Sequence, residues 1–508
     1  MKTKKLRLPA ILILLIFCSN IVTAQDPAFW NGSYDEDWFN DLNWDDGIIP
    51  DEFTTVYIPS GMSNYPDLTN DFAECDVIFI ETDPYSGAGS ILGNENLLTG
   101  NGAYVDTYIT GGQWQMISSP VFDQYADVFY WGGNPDVYLT RFDEPTNSYI
   151  YITDQLYILE DMTGYMVWFD DDQSGFFNTY SGELNYGYYS RDDLTRSAPG
   201  PDNGWNMVGN PYPSTIDWDA FNGWTKINID ETIYIINDGL WASWSEFGGS
   251  TNGGSNYIAE GQGFFVSVTD DGSTTGTLEM DEEVRVNSPE PLLKNSREIT
   301  DYVKLAATGN GRSDEIVIRF LEGSTNSFDG QYDAYKKFTT KDEIPQIYTL
   351  TDVKYAVNII PTPESLPLYF LCGTDGEYSV SVLEISQISE VWLEDLTTGE
   401  MTNLVEDSYG FTYKTTDDPA RFMVHFSIVS VKEKDMENIS IYSYNNKLNI
   451  KSPEILEGEY YIYNLAGQQI VAGKISGYSK QLAVDKKGYY LIRVISNGQT
   501  HTKKVFIN

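Results

Sequence analysis

Apolar and polar residues alternate in short runs along most of this chain, and long helical periodicity is scarce. The alternation is clearest near the end. In GYYLIRVIS, Tyr490, Ile492 and Val494 fall on one face and Leu491, Arg493 and Ile495 on the other. Val505 and Ile507 alternate with Lys504 and Phe506. A period of two with one apolar face predicts half-buried strands. The breaks carry turn chemistry: Asn445-Asn446, Ala466-Gly467, Lys487-Gly488 and Asn497-Gly498. Asn and Gly accept the positive φ angles that tight hairpins need. Residues 437–508 thus predict seven short strands, ISIYSY, LNIKS, EYYIYNL, QQIVAGKIS, KQLAV, GYYLIRVIS and THTKKVFIN, in a small immunoglobulin-like sandwich.

The same pattern runs upstream. Between residues 300 and 428 the runs YVKLAAT, DEIVIRFL, YAVNIIP, LPLYFLC, YSVSVLEI, EVWLEDL, FTYKTT and RFMVHFSIV follow at sandwich spacing. Residues 429–436 are charged and read as an exposed linker. Residues 107–286 hold an internal echo. GGQWQMISSPV from Gly111 matches NGWNMVGNPYPS from Asn203, and TGYMVWF from Thr163 matches GQGFFVSV from Gly261. Paired echoes predict two related halves, or two sheets of one sandwich. Asp217 to Phe247 is aromatic and polar with little strand alternation; core packing of its rings is the expectation, with a loop that presents Trp241 and Trp244 as the alternative. Residues 25–106 carry VYIP and DVIFIE between Gly, Pro and Asn, which predicts a β-rich module, either a short solenoid or a sandwich fragment. The fold class expected is all-β, with several β-sandwich-like domains in tandem.

The start of the chain is different. Lys2, Lys4, Lys5 and Arg7 precede an apolar run from Leu8 to Cys18, and Val22-Thr23-Ala24 places small residues at a cleavage site. Residues 1–24 read as a secretory signal peptide cut after Ala24. No other stretch is long and apolar enough for a membrane-spanning helix. Charge sharpens this picture. The chain carries a net −44, and without the leader 27 basic residues face 75 acidic ones, a net of −48. Such a chain repels nucleic acid and anionic membrane surfaces. The terminal segment reverses sign, with nine Lys and Arg against five Asp and Glu from residue 437 onward.

In the terminal segment YNLAGQQI closes a strand with a Gly turn at Leu465-Ala466-Gly467, Gly488-Tyr489-Tyr490 opens the penultimate strand, and Lys503-Lys504 precedes the last apolar residues. With these residues the segment resembles the C-terminal sorting domain of type IX secretion cargo. The resemblance covers only the tail. It implies recognition by the type IX secretion machinery and passage across a Gram-negative outer membrane, followed by release or surface attachment. Leu465, Gly467, Gly488, Tyr490, Lys503 and Lys504 are the sorting residues it marks. Near the other end, Trp30-Asn31-Gly32, Asp37-Trp38, Asn43-Trp44, Ile58-Pro59, Tyr65-Pro66 and Cys75 resemble a β-rich module of surface proteins in the same secretion class, with no activity attached.

Candidate chemistry is sparse. His425 and His501 are the only histidines, and neither stands beside a Gly-rich nucleophile turn. Histidine and cysteine ligands are too few for a zinc site, and no phosphate-binding loop appears in a strand-to-helix context. Acidic loops at Asp35-Glu36-Asp37, Asp45-Asp46 and Asp170-Asp171-Asp172 offer oxygen ligands for Ca²⁺ or are simply solvated. Trp241 and Trp244 either present rings to a glycan or pack in the core. Cys75 and Cys372, in separate expected domains, read as two buried thiols rather than a disulfide. The body is expected to be a non-catalytic adhesive or structural part of the cell surface, with a glycan or matrix protein as partner. The alternative is a secreted polysaccharide-degrading enzyme or its carbohydrate-binding accessory module, whose carboxylate pair no spacing singles out.

Overall fold

Ala28–Phe29, Thr55–Ile58, Val77–Ile80 and Ala103–Ile109 pair side by side in parallel, in register. Each connection returns the chain one rung further along. Val56, Ile78 and Ala103 therefore stack inward, buried. Phe29, Tyr57, Phe79 and Tyr104 stack outward with ring centroids 4.7, 4.8 and 4.9 Å apart. Ala73–Cys75 and Leu97–Thr99 form a second parallel pair. This is a short solenoid, in which each rung buries its apolar face against the next. Its last parallel strand is closed by the antiparallel strand Phe176–Gly182, so the expected division at residue 106 falls inside a strand. Trp30, Trp38 and Trp44 of the opening loop are buried and meet edge to face at 5.1 and 4.9 Å. Geometry of that kind is core packing.

The computed structural model describes residues 26–130, 137–170, 176–237, 239–287, 299–361, 365–428, 440–444, 447–464, 468–484, 486–496 and 499–507. The signal peptide with Ala24, the linker 429–436, and Asp171, Asp172, Leu465 and Gly467 lie outside the described residues. The chain separates into two units, Met1–Ser427 and Ile428–Asn508. The described residues are all-β, in several sheets that follow one another in tandem, with only single 3-10 turns between strands. None of their helices is long and apolar enough to cross a membrane.

The internal echo is a structural duplication. In the first copy Gln115–Ile117, Val137–Asp143, Ser148–Tyr151 and Tyr165–Phe169 form one sheet, in the order first, fourth, second, third. In the second copy Trp205–Gly209, Ile233–Asn237, Leu240–Ser245 and Gly263–Ser267 take the same order, with Gly249–Thr251 added at the edge. Registers agree residue by residue. Ile117 faces Tyr165 and Met116 faces Met166, as Val208 faces Phe264 and Met207 faces Phe265. Thr140 lies between Met166 and Tyr151, as Tyr234 lies between Phe265 and Ser243.

The copies also meet reciprocally. Thr163 bridges Val208 and Gln262 bridges Ile117. The Gly209 N–H donates to Met162 O at 3.2 Å, and the Ser118 N–H to Gly261 O at 2.7 Å. Such an exchange is the signature of a two-fold relation. Glycine allows the approach, since a Cβ on Gly164 would stand 2.4 Å from Val208 O and one on Gly263 2.9 Å from Ile117 O. The stretch Asp217 to Phe247, for which a loop was the alternative to core packing, is about half strand, at Trp224–Ile227, Ile233–Asn237 and Leu240–Ser245. In Ile233–Asn237 the neighbours Ile233 and Tyr234 are buried on opposite faces, which masks the alternation.

From Tyr302 to Ile428 one continuous sheet folds over its own core, while Val317, Ala334, Tyr335 and Val357 pack in a second core with Trp205, Tyr234 and Phe265. Its edge strand Tyr409–Tyr413 returns over the middle, where Phe411 meets Phe370 and Phe422, both at 5.0 Å. Each of the eight expected runs overlaps a strand, while Ala334–Tyr335, Gln346–Leu350 and Glu400–Asn403 go unforeseen.

Among the described residues of the unit Ile428–Asn508 there are five strands, where seven were expected. LNIKS and EYYIYNL fuse into Lys447–Asn464, and QQIVAGKIS and KQLAV into Gln469–Ala483. A register shift between Lys451 and Leu456 absorbs the Ser452-Pro453 break within one bent strand. Tyr490, Ile492 and Val494 are buried on the inner face.

Candidate functional site

Two cavities open side by side in the unit Met1–Ser427, one of 580 Å³ and one of 440 Å³. Tyr149, Trp241 and Phe338 line both. The duplicated sheets supply the walls and residues 336–341 the shared lip. The walls obey the internal two-fold. The larger cavity has Trp205, Phe142 and Phe265, and the smaller has their counterparts Trp114, Ile236 and Met166. Tyr149 and Trp241 are themselves counterparts, opposite Phe142 and Ile236 in their hairpins. The two cavities are therefore two copies of one site.

The copies differ in what fills them. In the larger, the Lys337 ammonium sits 3.5 Å from the Trp205 ring centroid and 5.6 Å from that of Trp241. Trp205 is 1% exposed as a result of this cover and of Tyr234 and Tyr335. Loss of water pulls the Lys337 ammonium down to about 7, against the opposing attraction of Asp202. Beside it, Lys336 Nζ meets Asp314 Oδ1 and Oδ2 at 2.6 and 2.5 Å, both side chains buried. In the smaller cavity Trp114 stays 37% exposed. Thr140 on its lining is 1% exposed, and its Oγ1 has no hydrogen-bond partner among the described residues. In the larger copy the counterpart, the Tyr234 hydroxyl, accepts from Tyr335 N at 2.8 Å.

The residues singled out in the sequence lie elsewhere. Asp170 follows the strand Tyr165–Phe169, half-buried. Asp35 accepts from Asn43 and Asn40 at 2.6 and 2.9 Å. Against a desolvation that raises it, these bonds and one from Asp37 N hold its carboxyl below the usual range, so the loop is internally satisfied. Among the described residues no three His, Cys, Asp or Glu stand together to hold a metal. His425 Nε2 pairs with Glu394 at 2.9 Å. Cys75 and Cys372 are buried free thiols, and burial and Asp76 push the former up to about 12. Trp244 donates to Asp219 at 2.9 Å, against a core, while Trp241 lines the cavities. In the terminal unit Gly488, at φ +151°, faces Ile507, and Tyr490 donates to Lys486 O at 2.9 Å. Lys503 and Lys504 are exposed. Trp114, Trp168, Thr140 and Lys337 were not foreseen. Their only signal was the echo, which pairs Trp114 with Trp205.

One buried carboxyl has a measurable consequence. Glu260 is buried, and neither oxygen has a hydrogen-bond partner among the described residues. Desolvation, then repulsion from Asp106, raises its pKa well above the ordinary value. A carboxyl raised in the fold contributes stability that is complete below its unfolded value and lost as pH rises through the folded one. Glu260→Gln should therefore flatten the fall in stability toward alkaline pH. At the alkaline end it should exceed the parent by about 1–3 kcal/mol in denaturant melts. Parallel pH profiles of the two proteins would refute the assignment.

A family model described as Domain of unknown function (DUF8693) matches residues 236–426, from the second copy of the duplication through the sandwich. The chain is 25% identical over 273 residues to the minor fimbrium subunit Mfa5 of Porphyromonas gingivalis, a match covering 46% of this chain and 22% of that protein. It thus spans less than a quarter of that relative. Among solved structures, the BSP domain of a biofilm-associated protein aligns with 10% identity, 79% of this chain, 92% of that chain and a TM-score of 0.13. Trypsin-activated alpha-2-macroglobulin from Escherichia coli aligns with 11% identity, 78% and 30% coverage and the same TM-score of 0.13. Scores at that level do not indicate a shared fold.

Proposed function

We propose that this chain is a cell-surface or extracellular protein of a Gram-negative bacterium whose body serves adhesion or surface structure without catalysis. The sequence relation to a fimbrium subunit carries the reading. The all-β body with its paired aromatic cavities is consistent with it, because loops and clefts on rigid sheets are common places for recognition. Turnover of a polysaccharide, abolished by one carboxylate substitution, would overturn the non-catalytic part.

Export through the terminal unit is the second half of the proposal. That unit has its own core, and its basic pair projects from the last strand. Lys503 and Lys504 are exposed, so Lys503→Glu with Lys504→Glu leaves the core intact. This variant, and deletion of residues 486–508, should accumulate in the periplasm, read by fractionation of the producing cell. Normal appearance of both proteins in the medium or on the cell surface would sink the export reading.

A further inference from the structure

The duplication places a natural comparison inside the molecule. In the smaller cavity the face of Trp114 stays open to solvent. In the larger one the protein's own Lys337 reaches over the face of Trp205, its Nζ 3.5 Å from the ring centroid. Among the described residues that Nζ makes no hydrogen bond and no ion pair, and its neighbours are the rings of Trp205 and Trp241. Lys336, one residue earlier, shows the contrast, since the buried carboxylate of Asp314 neutralises it. A ring face compensates a buried ammonium only in part. An amine without a counterion in such a place gives up its proton readily, and the free amine is a nucleophile.

The cavity gives that amine room and chooses its partner. Lys337 is half-buried on the lining, so its side chain borders 580 Å³ of space. On the same lining Phe142 meets Tyr149 and Phe265, both at 5.2 Å, and Trp241 meets Phe265 at 5.6 Å, which makes one continuous aromatic wall. The charged groups around Lys337 are engaged or distant. Asp202 attracts it from beyond ion-pair distance. Asp352 accepts from Phe328 N at 3.0 Å, from Val353 N at 3.1 Å and from the Tyr355 hydroxyl. Lys354, exposed, lies against the rings of Phe338 and Tyr348. Burial pushes the Tyr149 hydroxyl up to about 12, so that group stays neutral. Burial also pulls the Lys337 ammonium down to about 7, and the free amine is therefore present at neutral pH. A nucleophilic amine beside flat apolar walls suits a carbonyl carbon attached to a flat ring.

We propose that Lys337 is a covalent capture site, its Nζ condensing with an aldehyde that carries a flat ring to form a reversible imine inside the larger cavity. The nitrogen lone pair attacks the carbonyl carbon, both amine protons pass to the former carbonyl oxygen, and that oxygen leaves as water. C=N replaces C=O, and neither oxidant nor reductant is consumed. Capture takes one aldehyde per chain, which is compatible with a body that performs no turnover. The site stands apart from the export reading. Failure of capture leaves the fractionation result untouched, and mislocalisation leaves capture untouched.

The test treats the full chain with benzaldehyde and sodium cyanoborohydride, which reduces the imine to a stable amine, and maps the modified lysines by peptide mass spectrometry. At about pH 7 Lys337 should be labelled at least about tenfold faster than Lys354, which is exposed on the same lining. Its rate should level off above about pH 8, where an ordinary exposed amine still gains. The preference should vanish in urea, which removes the cavity and keeps the sequence. Trp241→Ala should lower it at least about threefold, and so should propanal in place of benzaldehyde, because the aromatic wall is then lost or unused. Lys337→Arg keeps a charge over Trp205 and should abolish the fast phase alone. Lys337 unlabelled, or labelled no faster than Lys354 in the folded chain, would overturn the inference and leave the side chain as a cover for Trp205. A preference that survives unfolding, or one equally strong with propanal, would overturn it too.

Discussion

Asp314→Ala should cost the unit Met1–Ser427 about 3–5 kcal/mol, among the largest effects of any single substitution in the chain. Asp314 is wholly buried, and Lys336 beside it is nearly so. The carboxylate also accepts from Asn252 Nδ2 at 2.9 Å and from Ile347 N at 2.8 Å. Its loss strands an ammonium in the interior and frees two further donors. The pair does not owe this importance to great attraction. Burying two charges costs nearly as much as their attraction returns, and it is the unpaired survivor that is costly. Replacing both partners, as Asp314→Leu with Lys336→Met, should therefore be milder than Asp314→Ala alone. Urea melts of the three variants decide it. A double variant as unstable as the single one would mean that the lost bonds to Asn252 and Ile347 carry the effect. Asn252 belongs to the second copy of the duplication and Asp314 to the sandwich, so the single variant should also loosen residues 336–341, the lip of the cavities.

Gly164→Ala is expected to be nearly as damaging for a different reason. Its methyl would stand 2.4 Å from Val208 O and 2.7 Å from Met207 Cγ, where the two copies of the repeat cross. A backbone oxygen cannot step aside as a side chain can, so strands must part, at a cost of about 1–3 kcal/mol or more. The two-fold relation supplies its own control. Gly263, the counterpart, would bring a methyl 2.9 Å from Ile117 O, so Gly263→Ala should destabilise in the same way but less. Gly410, with nothing within 4 Å of a built Cβ, should tolerate alanine without loss. Thermal melts that rank the three otherwise would refute the reciprocal contact.

The strands of the terminal unit were legible because one face is dry and the other wet, as at Tyr490, Ile492 and Val494 against Leu491 and Arg493. Their number was not, since Pro453 and Gly477 read as breaks although both lie within continuous strands. The duplication was visible only as Trp-x-Met and Gly-aromatic pairs. Of those residues Met207, Gly164 and Gly263 sit at the crossing of the copies, where packing tolerates least change, while the hairpins that complete each sheet have diverged. The aromatic cavities were unreadable. Trp114, Tyr149, Trp241 and Phe338 come from four segments, and only topology brings them to one cleft. Glu260 was hidden for a related reason, since burial of a glutamate leaves no mark on its neighbours in the chain.

The closing strand of the solenoid has a kinetic consequence. Ala103–Ile109 finds its last partner only in Phe176–Gly182, after all four strands of the first copy of the duplication have intervened in the chain. A chain emerging from its N-terminus therefore holds an unfinished parallel edge while residues 110–175 follow. Pairing over such sequence separation is slow, and an open edge invites other chains. The four parallel rungs pair in chain order and can form as the chain emerges, but the outer edge of the last one cannot close with them. Closure waits for later sequence, so maturation in the cell depends on how long that edge is kept from wrong partners.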